Sequence, residues 1–201
     1  MPLSLYDDVG KEAVRYGSLI YSDSQKPGAH NTPAAEEGND IIAHTRGKYG
    51  ELLFYRWLTE HNFTPTHTPF REDYTKKVED DDFIVNGVRI EVKAKQRTKS
   101  PFPPYLNYNV NMGRRGLEHD VYVYIEIQSG MDIADNPKAT IVGWATPRLV
   151  RKFGIERTPG TPSDNIRDWT FKRYDWDIQI STLYKPSLLE SFLSKGSAEP
   201  T

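Results

Sequence analysis

The strongest structural signal in the chain is the stretch Asp82-Phe-Ile-Val-Asn-Gly-Val-Arg-Ile-Glu-Val-Lys-Ala-Lys95. Two runs rich in β-branched and aromatic residues flank Asn86-Gly87, the preferred pair for a two-residue type I′ hairpin turn. A turn of this length fixes which residues face each other across the hairpin. The stretch therefore predicts a β-hairpin in which Asp82 faces Glu91.

Alternation along the two predicted strands separates a charged face from an apolar face. The charged face carries Asp82, Glu91, Lys93 and Lys95, and the apolar face carries Phe83, Val85, Val88, Ile90, Val92 and Ala94. Opposed side chains in such a pair have Cβ atoms about 4.5–5.5 Å apart, where like charges are destabilising. A divalent cation would compensate two facing carboxylates, and so would Lys93. The alternative is a solvated surface on which Asp80 pairs with Lys93 across the strands.

Patterns elsewhere in the chain predict a mixed α/β domain. We predict helices within 3–20, at Ile41–Glu60, at Thr146–Phe153 and at Pro186–Leu193, strands within 63–77, at Asp120–Gln128, at Ala139–Ala145 and within 169–180, and a long loop over 100–115. Asn62 stands where a left-handed residue would end the second helix. Gly47 and Gly50 each cost about 1 kcal/mol relative to Ala inside a helix. Either this helix begins near Gly47, or one of its faces lets another backbone come close.

Length and composition exclude several classes of protein. The chain has 201 residues, a formal charge of −2 and no cysteine, which excludes a uniformly basic nucleic-acid binder, disulfides and thiolate chemistry. No apolar run approaches the roughly 18 residues of a membrane span, and Met1–Gly10 lack the pattern of a secretory signal. We expect a cytoplasmic protein with no membrane contact, divided into residues 1–40, a helix with an irregular arm, and residues 41–201, one domain.

The hairpin and the preceding helix resemble the PD-(D/E)xK nuclease superfamily, which includes restriction endonucleases, Holliday-junction resolvases and phage exonucleases. Glu91-Val92-Lys93 is the only Glu-x-Lys in the chain and matches the family element. Asp82 matches the preceding acid, and Glu51 matches the glutamate of the family's helix. The resemblance covers about 47–95. The residue before Asp82 is Asp81, where the family pattern has proline; we favour Asp82 because alternation turns Asp81 toward the apolar face.

This resemblance implies a restriction-endonuclease-like α/β fold, with a mixed central sheet flanked by helices, and Mg²⁺-dependent cleavage of DNA by an endonuclease. Mn²⁺ would substitute for Mg²⁺. Asp82, Glu91, Glu51 and the Val92 backbone carbonyl would hold the metal, and Lys93 would orient the attacking water. A resolvase or exonuclease of the same superfamily is an alternative, as is a non-catalytic DNA-binding protein on this scaffold or a structural domain. Double-strand cutting by one small site usually uses two copies, so a homodimer is compatible with this reading.

A basic segment follows the predicted site. From Arg89 to Arg115 the chain has seven basic residues against the single acid Glu91, a net local charge of +6. Positive charge interleaved with aromatic and amide side chains suits contact with phosphates and bases. A solvated loop is the alternative. The predicted nucleic-acid contacts are Lys95, Arg97, Lys99, Tyr105, Tyr108, Asn111, Arg114 and Arg115.

Overall fold

The described residues form an α/β structure built on a mixed four-stranded sheet. The computed structural model describes residues 8–24, 41–71, 74, 81–96, 107–111, 117–128, 130–162, 170–171 and 174–196. The helices are α1 (Val9–Ser24), α2 (Ile41–Glu60), α3 (Pro147–Phe153) and α4 (Leu189–Lys195). The strands are β1 (Phe83–Val85), β2 (Val88–Gln96), β3 (Asn107–Asn111), β4 (Val121–Ile127), β5 (Ala139–Ala145), β6 (Ile155–Arg157) and β7 (Asp175–Gln179). The α/β class predicted from the sequence is confirmed.

The strands are arranged in two sheets. The main sheet has the order β1-β2-β4-β5, in which β2 and β4 run parallel and the other neighbours run antiparallel. The small sheet has the order β3-β7-β6 and is antiparallel throughout. The mixed main sheet agrees with the sequence prediction, whereas the small sheet was not foreseen.

The predicted hairpin is confirmed in its turn and in its register. Asn86 and Gly87 both have positive φ angles, 50° and 80°, as a type I′ turn requires. The strands pair so that Val85 faces Val88, one step from the turn. Beyond β1, the backbone N–H of Asp82 donates to the carbonyl of Ile90 at 3.1 Å. The confirmed register covers Phe83–Val85, and this backbone hydrogen bond ties Asp82, just before β1, to β2.

The helix α2 packs on the apolar face of β2 through a glycine. A Cβ atom added at Gly50 would lie 2.5 Å from the Cβ atom of Ala94, so no side chain fits between the helix and the strand. Because α2 begins at Ile41, it does not start near Gly47. The other predicted alternative is confirmed: one face of the helix lets another backbone come close. The helix ends as predicted, because Asn62 has a φ of 61° and the N–H of Phe63 returns to the carbonyl of Leu58 at 2.8 Å.

Two apolar cores lie on opposite faces of the main sheet. The first joins α1, α2, α4 and the apolar face of the hairpin. The second packs Tyr122 and Tyr124 of β4 against Leu149 of α3 and Ile178 of the small sheet. In the parallel register, Tyr122 stands beside Glu91 and Tyr124 stands beside the lysine two residues further along β2. The charged face of the hairpin therefore borders the second core.

Helix α1 is part of the first core. Val9, Ala13 and Tyr16 are buried there. A Cβ atom at Gly17 would lie 2.3 Å from Oγ1 of Thr45, so α1 and α2 cross in close contact. The boundary drawn at residue 40 lies outside the described residues. Within the described ranges, none of the helices combines the length and the apolar content needed to cross a bilayer.

Three local predictions need correction. The segment 100–115 was expected to be a loop, but Asn107–Asn111 pairs with β7, a partner too distant in sequence for local patterns to indicate. Within the described part of 63–77 there is one isolated bridge, His67 to Ile84, instead of a strand; the nearby prolines cannot donate to a ladder. The third correction is β6, a three-residue strand that was not predicted; the described part of 169–180 forms one strand, β7, in agreement with its pattern.

The contact at Gly50 predicts a difference between the two glycines of α2. Gly50→Ala is expected to be less stable than Gly47→Ala by about 1–3 kcal/mol, because the new methyl group overpacks the contact with Ala94. Gly47→Ala is the matched control: both changes raise helix propensity equally, and a Cβ at Gly47 meets nothing closer than 4.0 Å. Urea unfolding measures both; equal stability of the two variants would contradict the contact.

Candidate functional site

The carboxylate of Asp82 lies at the edge of β2, where β1 has not yet begun. The backbone N–H of Val92 donates to Oδ2 of Asp82 at 2.8 Å. In an extended strand, the N–H and the carbonyl of one residue point toward the same side. The carbonyl of Val92 therefore points toward the side on which Asp82 lies, as its predicted role as a ligand requires.

The carboxyl group of Asp82 is influenced by two other acids. Burial raises the pKa of Asp82 well above 3.8, and the charges of Glu91 and Glu51 raise this pKa further. Lys48 and the N–H of Val92 oppose the shift without cancelling it. The charges of Glu51 from α2 and of Glu91 from β2 therefore both act on Asp82, and the ligand roles predicted for these acids stay predictions.

Glu91 and Lys93 form an ion pair on the charged face of β2. They are two residues apart on one strand, so their side chains project from the same face. Nζ of Lys93 donates to Oε1 of Glu91. Both side chains are largely covered, at 24% exposure for Lys93 and 16% for Glu91. This lysine was expected beside both acids, but the lysine whose charge acts on Asp82 most strongly is Lys48.

Lys48 is a site residue that the sequence analysis did not identify. Nζ of Lys48 donates to Oε2 of Glu51, one helical turn along α2, and lies 3.3 Å from the carbonyl of Pro69. Burial disfavours its charged form, but Glu51, Tyr74 and Asp82 together hold the pKa of Lys48 above its ordinary value. Lys48 is therefore a buried ammonium between the helix acid and the hairpin acid. The spacing of three residues to Glu51 was the signal that could have indicated it.

His119 and Asp81 form a second unpredicted contact. Nε2 of His119 lies 3.5 Å from Oε2 of Glu91 and 3.4 Å from Oδ1 of Asp81. Asp81 also lies 3.9 Å from Arg89. Asp81 was expected to point toward the apolar face; this is wrong, because β1 starts only at Phe83 and strand alternation does not extend back to Asp81.

The predicted nucleic-acid contacts are described only in part. Lys95 lies on β2, beside Glu126 of β4 in the parallel register. Tyr108 and Asn111 belong to β3, of which the backbone pairing is described. Outside the described residues lie Arg97, Lys99, Tyr105, Arg114, Arg115 and the alternative partner of Lys93, Asp80.

The acids of the site have the chemistry of a site for a hard divalent cation, but their present partners are lysines. Carboxylate and carbonyl oxygens are the ligands that Mg²⁺ prefers, and the pKa of Asp82 is raised first by burial and then by the charges of Glu91 and Glu51. Within the described ranges, no three His, Asp or Glu side chains are arranged to hold a metal ion. Glu51 and Glu91 each face a lysine instead.

Comparison with known protein families, with characterised proteins and with solved structures finds no match to this chain. The interpretation of the site therefore depends on its residues and their geometry. Three features carry it: the hairpin register, the burial of Glu51 with the partial burial of Asp82 and Glu91, and the two lysines that pair with the glutamates.

The buried pair of Lys48 and Glu51 predicts a large stability effect. Lys48→Met is expected to cost about 3–5 kcal/mol in urea unfolding, because it leaves the carboxylate of Glu51 buried without its partner. The double variant Lys48→Met/Glu51→Gln should recover most of this loss. The control is Arg56→Met, which breaks an exposed pair with Glu60 of the same helix and should cost at most about 1 kcal/mol. If Lys48→Met and Arg56→Met lower the stability equally, the burial of the pair of Lys48 and Glu51 is contradicted.

The raised pKa of Asp82 predicts a pH dependence of stability. Below pH 3.8 the carboxyl group is protonated in both the folded and the unfolded chain. Between 3.8 and the higher pKa of the folded state, only the unfolded chain releases this proton, so the free energy of unfolding falls as pH rises. Asp82→Asn removes this contribution.

Relative to the unmodified chain, the stability of Asp82→Asn is therefore expected to increase between about pH 4 and about pH 8. Urea unfolding at the two pH values measures the difference. Asp135→Asn, at an exposed position, is the control and should show no such trend. A stability difference for Asp82→Asn that is independent of pH would contradict the prediction.

Proposed function

We propose that this protein is a metal-dependent deoxyribonuclease, with a restriction-endonuclease-like fold, that hydrolyses DNA phosphodiester bonds as an endonuclease. The observation that carries the proposal is the position of Asp82, where burial and the charges of Glu91 and Glu51 all act on one carboxyl group while a lysine pairs with each glutamate. Three acids concentrated in a partly dry site are costly to keep unless a cation or a substrate uses them.

The site residues divide the work of phosphodiester hydrolysis among them. Asp82, Glu91 and the Val92 carbonyl would hold Mg²⁺ or Mn²⁺, with Glu51 as a further ligand. When bound, such a cation supplies Lewis acidity and lowers the pKa of a coordinated water. Lys93 would orient the attacking water and stabilise the charge that develops on the phosphate. Lys48 holds the Glu51 side chain in place through its ion pair.

The fold supports this assignment. The main sheet is mixed, α2 covers one of its faces, and the acids lie where the hairpin opens away from its turn. The Gly50 contact with Ala94 adjoins both parts of the site, because Glu51 follows Gly50 and Lys93 precedes Ala94. The helix acid and the strand lysine are therefore held at a fixed separation.

DNA is the proposed substrate because of the charge distribution along the chain. The whole chain carries −2, whereas the segment from Arg89 to Arg115 carries +6 and begins at the site itself. Phosphate contacts provide most of the affinity in such complexes and make binding dependent on salt. A resolvase or an exonuclease of the same superfamily would use the same site, and these alternatives differ only in which DNA is cut.

A non-catalytic DNA-binding protein is the second candidate. The observation that favours it is that each glutamate of the site already faces a lysine. The negative charges of Glu51 and Glu91 are then balanced by the two lysines without any metal ion. DNA binding without cleavage, at every metal ion tested, would support this candidate over the nuclease.

The nuclease proposal predicts metal-dependent cleavage that three side chains control. Supercoiled, linear, single-stranded and branched DNA are incubated with Mg²⁺, Mn²⁺ or EDTA, and the products are mapped at nucleotide resolution. Asp82→Ala, Glu91→Ala and Lys93→Ala should each lower the cleavage rate roughly 10²–10⁴-fold, the range contributed by a positioned acid or base. DNA binding and folding should largely persist.

Two exposed positions provide matched controls. Glu60→Ala and Lys138→Ala remove the same side-chain types away from the site and should cut at the unmodified rate. Undiminished cutting by any one of the three site variants contradicts its assigned role. Cutting that persists in EDTA contradicts metal dependence.

A further inference from the structure

His119 is held beside the site by two different kinds of contact. Its ring packs edge-on against the ring of Tyr122, with centroids 5.6 Å apart and planes at 81°. Its backbone N–H donates to the hydroxyl of Tyr122 at 3.3 Å. Tyr122 is fully buried and stands directly beside Glu91 in the register of β4 and β2. The imidazole therefore has a fixed place relative to Glu91.

Nε2 of His119 lies beside Oε2 of Glu91, the carboxylate oxygen to which Lys93 does not donate. Lys93 donates to Oε1 of Glu91, and Nε2 of His119 lies 3.5 Å from Oε2 of the same carboxylate. The His119 side chain is only 14% exposed. With a cationic or N–H group beside each oxygen, the plane of the Glu91 carboxylate is determined.

Asp81 approaches the same ring nitrogen of His119. Its Oδ1 lies 3.4 Å from Nε2 of His119 and 3.9 Å from Nε of Arg89. Asp81 and Glu91 therefore both contact Nε2 and hold that end of the imidazole in place. The acidic run before the hairpin thus contains two separate functions: Asp82 contacts the strand edge, and Asp81 holds His119.

We propose that His119 is a positioning residue that orients the Glu91 carboxylate for divalent-cation binding, with Asp81 and Tyr122 fixing its imidazole. The proposal rests on the proposed function, in which Glu91 is a metal ligand. Groups that orient metal ligands typically contribute 10–100-fold to metal affinity or activity. His119 is expected to act through Glu91 and not through contact with DNA.

Two substitutions separate positioning from simple packing. His119→Phe keeps an aromatic ring against Tyr122 but has no nitrogen to face Glu91. His119→Gln loses the ring but retains an amide N–H at a similar reach. Mn²⁺ affinity is measured by calorimetry on the full chain without DNA, and cleavage is measured separately. His119→Phe should lose about 10–100-fold in both measurements, and His119→Gln should stay close to the unmodified protein.

His61→Phe is the control, because His61 also stacks on an aromatic ring, that of Trp57 at 4.2 Å, at the far end of α2. It should leave both measurements unchanged. The proposal is overturned if His119→Phe binds Mn²⁺ and cuts like the unmodified chain, or if His119→Gln is impaired as much as His119→Phe. If the unmodified chain neither binds Mn²⁺ nor cuts DNA, the proposed function fails, and this inference fails with it. If the unmodified chain does both and only the expected effect of the His119 variants is missing, this inference fails alone.

Discussion

The site is organised around Asp82, whose ionised form is disfavoured by burial and repelled by the charges of Glu91 and Glu51. Burial strengthens this repulsion, since the surrounding protein screens charge less than water does. The structure answers it with Lys48 from the helix, Lys93 from the strand, and an N–H from the backbone of Val92. Each compensating group comes from an element that also supplies an acid, so the charge balance depends on the helix and the hairpin keeping their relative position.

Two features of the main sheet keep that position. The Asn86-Gly87 turn fixes the pairing of β1 with β2, next to which Asp82 lies, and the side-chain amide of Asn86 also donates to the carbonyl of Leu193 at the end of α4. The glycine contact between α2 and β2 then sets the distance from helix to strand. The second core holds the opposite face through Tyr122, which connects the strand register to His119.

Sequence reasoning succeeded where the information was local. The Asn86-Gly87 dipeptide predicted the hairpin, and the spacing of apolar residues predicted α2. The composition of Ala139–Ala145 predicted the strand β5. It failed where the partner was distant: β3 pairs with a strand late in the chain, and His119 meets Glu91 only after β4 aligns with β2. The orientation of Asp81 was missed for a third reason, because alternation holds only inside a strand. Lys48 was overlooked although it lies one helical turn from Glu51, which the sequence analysis had identified as a site residue.

The contact of Gly50 with Ala94 has an evolutionary consequence. The space between α2 and β2 at this point holds one methyl group and no more. A larger residue at either position pushes apart the backbone segments that carry Glu51 and Lys93. In related chains that conserve the site, positions 50 and 94 are therefore expected to covary, with a gain in volume at one matched by a reduction at the other.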